Sequence, residues 1–196
     1  MKSRGARMAL AIMVFCLLAF ALRVWDLGGR PIALDEIAVL QRVLAPLPGL
    51  HRAPAEARWP APPLYPLFLS GLMSLLGTAD VSLRFGSVVW SLLAVALLYA
   101  LGTRWFGRRV GALSMLLGTL LPLGLLYARR ASPYPMAAAL SLLAVYALER
   151  GLAERSKPWS VAAVLSAAAA IGTSYLALAL LPIMAGQALL AWSAQR

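Results

Sequence analysis

The sequence predicts an all-α protein: a polytopic transmembrane helical bundle of about six spans, with juxtamembrane helices in the first outer loop. Three observations carry this. Of the 196 residues, 62% are hydrophobic, more than a soluble domain of this length buries in one core. Only 13% are charged, and they cluster between long apolar runs, as loops alternate with spans. The net charge of +11 comes from Lys and Arg at the ends of those runs, where anchoring and topology explain them. That placement removes the usual argument for a nucleic-acid partner, and none is expected.

The first apolar run, residues 8–25, follows Lys2, Arg4 and Arg7. It is longer than a typical signal-peptide core and no clear small-x-small cleavage site follows, so it reads as an uncleaved first span. Its lone cysteine, Cys16, excludes an intrachain disulfide or a cysteine metal site and reads as a packing residue. Residues 26–83 form a Pro- and Arg-rich outer loop with two helical pieces. One starts at Asp35, with Ile37, Val39, Leu40, Val43 and Leu44 as its apolar face. The other, residues 62–78, is apolar but reaches only roughly 25 Å, short of the ~30 Å hydrocarbon core. It reads as an interfacial or re-entrant helix, with Pro66 tolerated in its first turn.

Spans are then expected at residues 84–103, 110–127 and 135–148. The run 160–194 is long enough for two, turning near residues 172–175. With residues 62–78 not crossing, the basic loops holding Arg104, Arg108, Arg109 and Arg150, Arg155, Lys157 lie on the same side as the basic N-terminus. Both chain ends are then cytoplasmic, in the cell inner (plasma) membrane, and the long loop is extracytoplasmic. Trp25, Trp105, Tyr127, Trp159 and Trp192 fall near expected span ends, as an interfacial belt requires. The whole chain, 1–196, reads as one membrane module without a soluble domain.

Chemistry has few places to sit. Of seven acidic residues, Glu149 and Glu154 belong to a basic loop and Asp80 to a turn or cap. Asp26, Asp35, Glu36 and Glu56 share the outer loop, and the adjacent pair Asp35-Glu36 stands out beside Gly28-Gly29. Asp35 suits a helix N-cap; a carboxylate held there can also face a cleft. Arg129 and Arg130, between Tyr127 and Tyr134 at an outer span end, suit either headgroup snorkelling or a paired grip on a lipid phosphate. His51, the single histidine, lacks a clustered partner for metal or acid–base work. No Walker, Ser-x-x-Lys or His-Glu-x-x-His motif occurs.

The order of several motifs resembles the N-terminal membrane module of lipid-dependent glycosyltransferases of the GT-C fold, the protein-mannosyltransferase and aminoarabinose-transferase type. They are Arg23-Val-Trp-Asp-Leu-Gly followed by Leu34-Asp35-Glu36; Pro62-Pro63-Leu64-Tyr65; Leu83-Arg84-Phe85-Gly86-Ser87; Tyr99-Ala-Leu-Gly102 to Phe106-Gly107-Arg108-Arg109; Tyr127-Ala-Arg129-Arg130-Ala-Ser-Pro-Tyr134; and Thr173-Ser-Tyr175. The resemblance implies a sugar moved from a polyprenyl-phosphate donor to an acceptor at the extracytoplasmic face. It places catalysis on Asp35, with Glu36 beside it. It places substrate and lipid-phosphate binding on Arg129, Arg130, Tyr127, Tyr134, Pro63, Tyr65 and Arg84. Membrane lipid and the donor are the expected partners.

Three departures bear on cofactors. Ala61 stands where the family often has histidine, Arg130 where it often has an acidic residue, and Ser174 within the Thr-His-Tyr-like turn. A divalent metal would lose these ligands, so no cofactor is expected. Relatives are usually much longer, so the chain reads as their N-terminal part or as a minimal, divergent member. The rival reading is a non-catalytic lipid-carrier-binding or assembly subunit on the same module. A transporter fits less well, because the expected spans carry almost no charge at mid-depth.

Overall fold

The computed structural model describes residues 2–29, 31–44 and 62–193. His51, Glu56 and Ala61 lie outside the described residues. Described secondary structure is entirely helical: α1 (Lys2–Val24), α2 (Leu34–Leu44), α3 (Leu64–Leu76), α4 (Asp80–Phe106), α5 (Arg108–Leu120), α6 (Pro122–Ala128), α7 (Pro133–Glu154), α8 (Lys157–Thr173), a 3₁₀ turn (Tyr175–Ala179) and α9 (Leu180–Ser193). α4 packs on α5 and α7, and α7 on α8. Large apolar side chains remain outside, among them Leu117, Leu165, Leu176 and Leu190, each more than 60% exposed. An apolar exterior of this kind requires lipid as its solvent.

The expected span count is not reached by length and composition. Among the described residues only α4 and α7 are long and apolar enough to cross a membrane, or three if α5 and α6 form one broken span. Residues 110–127, expected as one span, bend by 58° between α5 and α6. The reason is local: Pro122 opens α6 and has no N–H to give the Gly118 carbonyl four residues back. The long C-terminal run divides at Ser174, where the chain is extended, within the expected turn. α3 has 13 residues, roughly 20 Å of helix, and carries Pro66 in its first turn as expected.

Two hairpins fix the polarity of the bundle. Gly107, at φ +88°, turns α4 into α5. Beyond it Gly102 and Gly111 let the backbones touch: a Cβ on Gly111 would sit 2.8 Å from the Tyr99 carbonyl oxygen. α7 and α8 close similarly, with Gly151 against Ser160. Arg104 near the end of α4 pairs with Glu149 near the end of α7 at 3.4 Å, and Arg150 lies 4.3 Å over the Trp159 ring. The basic turns thus share one end of the bundle. α2, the start of α4 and the α6–α7 turn meet at the other end, where the candidate site lies.

α2 lays Val39, Leu40 and Val43 against a core of Tyr65, Leu69, Leu83, Leu101, Met136 and Leu140. Ile37 and Leu44, expected on the same face, are exposed. The cap assignment also changes. The first helical bond runs from Ile37 N–H to the Ala33 carbonyl at 3.0 Å, so the helix begins at Leu34 and Ala33 occupies the cap position. Asp35 therefore lies inside the first turn. Glu36, three residues beyond Ala33, reaches back to accept the Ala33 N–H at 3.0 Å, the carboxylate half of a capping box.

Candidate active site at the α2–α4–α7 end

The adjacent carboxylates occupy different environments. Glu36 is 1% exposed and faces inward. Arg84, equally buried on α4, grips it with two parallel bonds, Nε to Oε1 at 2.8 Å and Nη2 to Oε2 at 2.9 Å. The Ala131 N–H adds a bond to Oε1 at 2.9 Å. With the Ala33 N–H, the carboxylate accepts four hydrogen bonds, and Arg84 also donates to the Leu27 and Pro31 carbonyls. Burial pushes the Glu36 carboxyl up, but the Arg84 guanidinium and the two backbone N–H groups outweigh it and hold it below the usual glutamate value. The Glu36–Arg84 pair acts as a tie between α2, α4 and the α6–α7 turn.

Asp35 has the opposite character. Its side chain is 48% exposed, and its Oδ2 lies 3.3 Å from Arg130 Nη1, itself 38% exposed. A half-hydrated pair of this kind contributes little to stability and can be parted by a competing ligand. The tie explains the adjacency: Glu36 bonds the N–H of Ala131, so their sequence neighbours Asp35 and Arg130 are brought face to face.

The α6–α7 turn is held at three points. Arg129 donates through Nε to the Leu22 carbonyl at 2.9 Å, and Nη2 donates to the same oxygen. Ala131 is bound by Glu36. Ser132 N–H donates to Ser87 Oγ at 3.2 Å, while Ser87 Oγ donates to the Ser132 carbonyl at 3.3 Å. Ser87 thereby spends its only proton, so the Tyr65 hydroxyl, 3.1 Å away, is the donor in their bond. Ser132 also accepts from Tyr134 N–H and starts α7 with Pro133 behind it, a sequence suited to a helix start.

A cavity of about 260 Å³ opens among Pro31, Ile32, Ala33, Glu36, Arg84, Arg129 and Arg130. Three arginines stand against one carboxylate in its lining, an excess of positive charge there, while Asp35, paired with Arg130, and Asp26 and Asp80, whose charges act on Arg84, lie outside the lining. Asp35 is not among its lining residues and reaches it only through Arg130. Of the other expected contacts, Tyr65 is buried 3.1 Å from Ser87, and Pro63 caps α3. Tyr127 and Tyr134 stack edge to face, centroids 4.8 Å apart, and line a different, apolar cavity with Arg23. Among the described residues no three His, Cys, Asp or Glu side chains converge as a metal would need.

Sequence reasoning passed over Arg23, which is 1% exposed in the last turn of α1. The signal was available: an arginine two residues before Trp25, inside an apolar run, is costly unless partnered. Its partners are Ser91 Oγ at 2.8 Å and the carbonyls of Ala19, Gly118 and Thr119 at 3.1, 3.2 and 3.5 Å.

The chain matches neither a curated protein nor a solved structure. A family model does match, over residues 60–196, more than half of the chain; it describes dolichyl-phosphate-mannose-protein mannosyltransferase. The α3–α4 segment, the Arg84 anchor and the Arg129–Ser132 turn all fall inside that match. The chain therefore belongs to the dolichyl-phosphate-mannose-protein mannosyltransferase family, membrane glycosyltransferases of the mannosyltransferase type.

Proposed function

We propose that the protein transfers a sugar from a polyprenyl-phosphate donor to a hydroxyl acceptor at the extracytoplasmic face, with Asp35 as general base. The observation that carries this is the cationic cavity walled by Arg84, Arg129 and Arg130 beside a half-exposed aspartate. Glu36 already neutralises Arg84, which leaves Arg129 and Arg130 to meet the donor phosphate. As the acceptor oxygen attacks the anomeric carbon, Asp35 takes its proton. The bond from that carbon to the phosphate oxygen breaks, and the lipid phosphate leaves with the electron pair, stabilised by the arginines. No step calls on a metal.

The extracytoplasmic placement rests on charge. The turns carrying Arg104, Arg108 and Arg109, and Arg150, Arg155 and Lys157, share the end opposite the site, and basic turns favour the cytoplasm. The membrane proposed is the cell inner (plasma) membrane.

One observation favours a second reading, a carrier-binding subunit without transfer: Asp35 is engaged by Arg130 and stands outside the cavity lining. The test separates the two. Radiolabelled polyprenyl-phosphate mannose is supplied to membranes holding the protein or its Asp35→Asn variant, and label entering acceptor fractions is measured beside donor binding. Catalysis predicts unchanged binding with transfer reduced about 10²-fold or more, the scale of a lost general base. Full transfer by a folded Asp35→Asn protein refutes the role of Asp35, and donor binding with no transfer by the parent supports the subunit reading.

A further inference from the structure

Arg23, on α1, caps the end of α5, and Arg129, just beyond α6, caps the end of α1. Pro122 leaves the Gly118 carbonyl without its N–H partner, and the helix break at Leu121 exposes the end of α5. Arg23, from α1, donates to Gly118 and Thr119 at that end while its Nε is fixed on Ser91 of α4. A cation there also meets the negative end of the α5 dipole. The next seven residues form α6, which delivers Arg129. Arg129 then turns back and donates to Leu22, the residue beside Arg23, in the last turn of α1. The two arginines thus close a ring: α1 holds the end of α5, and the end of α6 holds α1. The ring leaves Arg129 Nη1 without a hydrogen bond among the described residues, in a side chain that lines the cationic cavity.

We propose that Arg23 is a positioning residue for anion binding: by capping the α5–α6 break it sets where Arg129 stands. This rests on reading the Arg84–Arg129–Arg130 cavity as the phosphate site. Arg23 does not line that cavity and acts only through Arg129.

The test uses the full chain in lipid nanodiscs and a radiolabelled polyprenyl phosphate without sugar as probe, with thermal unfolding as a check on folding. Arg23→Met weakens probe binding about tenfold, as expected for one charge-assisted contact, and Arg129→Ala does the same. The decisive measurement is the double variant. If Arg23 works through Arg129, the double variant binds no more weakly than Arg129→Ala alone; a merely structural Arg23 multiplies the two losses. Multiplied losses, or parent-like binding by a folded Arg23→Met protein, overturn the proposal. Should Arg23→Met not fold, Pro122→Ala serves instead. It restores an N–H for Gly118, competes with the cap and is expected to weaken binding; unchanged binding overturns the proposal. Unchanged binding in Arg129→Ala is a separate result, and it removes the phosphate-site reading itself.

Discussion

Replacing Glu36 with Gln changes almost no volume, so the cost it carries is electrostatic and can be worked atom by atom. The carboxylate uses both oxygens: Oε1 accepts from Arg84 Nε and Ala131 N–H, and Oε2 accepts from Arg84 Nη2 and Ala33 N–H. An amide has one oxygen. Whichever way it flips, its NH₂ group faces two N–H donors, so two bonds are lost and two buried donors are left without an acceptor. The Arg84 guanidinium also loses the carboxylate charge it grips with two bonds while remaining 1% exposed. Breaking a buried pair from one side costs about 3–5 kcal/mol, and two stranded donors alone give a figure of that order. Equilibrium unfolding in mixed micelles, compared between parent and Glu36→Gln, measures it. The conservative neighbouring change Asp35→Asn, in an exposed pair, is expected to cost about 1 kcal/mol or less. A Glu36→Gln protein within about 0.5 kcal/mol of the parent would falsify the reading of Glu36 as the tie of the site, because surface changes fall in that range.

The same carboxylate predicts a pH dependence. Its folded value lies below its unfolded value, so its stabilisation is fully present above the unfolded glutamate value of about 4.3 and is lost as pH falls through the folded value. Melting temperature followed downward from neutral pH is expected to fall only in that acid window, and to lose part of the fall in Glu36→Gln. Gly111→Val forces a side chain toward the Tyr99 carbonyl and is expected to destabilise the α4–α5 hairpin by about 1–3 kcal/mol, read by the same unfolding assay. Arg130→Ala removes both a cavity cation and the partner of Asp35; probe binding is expected to weaken about tenfold with melting temperature nearly unchanged. A large loss of stability in Arg130→Ala would show that the pair is not the exposed contact described.

What was legible in the sequence was what period and composition carry: helices, three of the five apolar positions expected on α2, the basic turns, and the short helix at Leu64–Leu76. The break at Pro122 was visible as a residue but not as a bend, because proline is tolerated in membrane helices when something else satisfies the freed carbonyl. Here that something is Arg23, which stands 95 residues before that carbonyl and is invisible to local reading. The sequence set Asp35 as the base with Glu36 beside it and offered Arg129 and Arg130 together as phosphate contacts, without telling which member of either pair the fold commits. Their partners separate them: Glu36 is buried and saturated against Arg84 while Asp35 is half exposed, and Arg129 is held to Leu22 through Nε and Nη2 while Arg130 meets the half-exposed Asp35.

That division has a physical logic. In the proposed reaction Asp35, as base, and Arg130, as phosphate-binding cation, must change partners, so neither can be fully committed to the fold. Each must still be held to within a fraction of an ångström, which an exposed side chain cannot achieve alone. Placing the mobile residue next to a buried, saturated one in sequence solves both requirements, because the peptide bond transmits the position of Glu36 to Asp35 and that of Ala131 to Arg130. The Asp35–Arg130 distance of 3.3 Å is then a consequence of the Glu36–Ala131 bond rather than of their own attraction. It follows that Glu36→Gln should impair transfer even in those molecules that remain folded, and that Arg130→Ala should leave the Glu36–Arg84 tie in place. Single-turnover transfer by folded Glu36→Gln protein at the parental rate would separate the two pairs and leave Asp35 without a positioning partner.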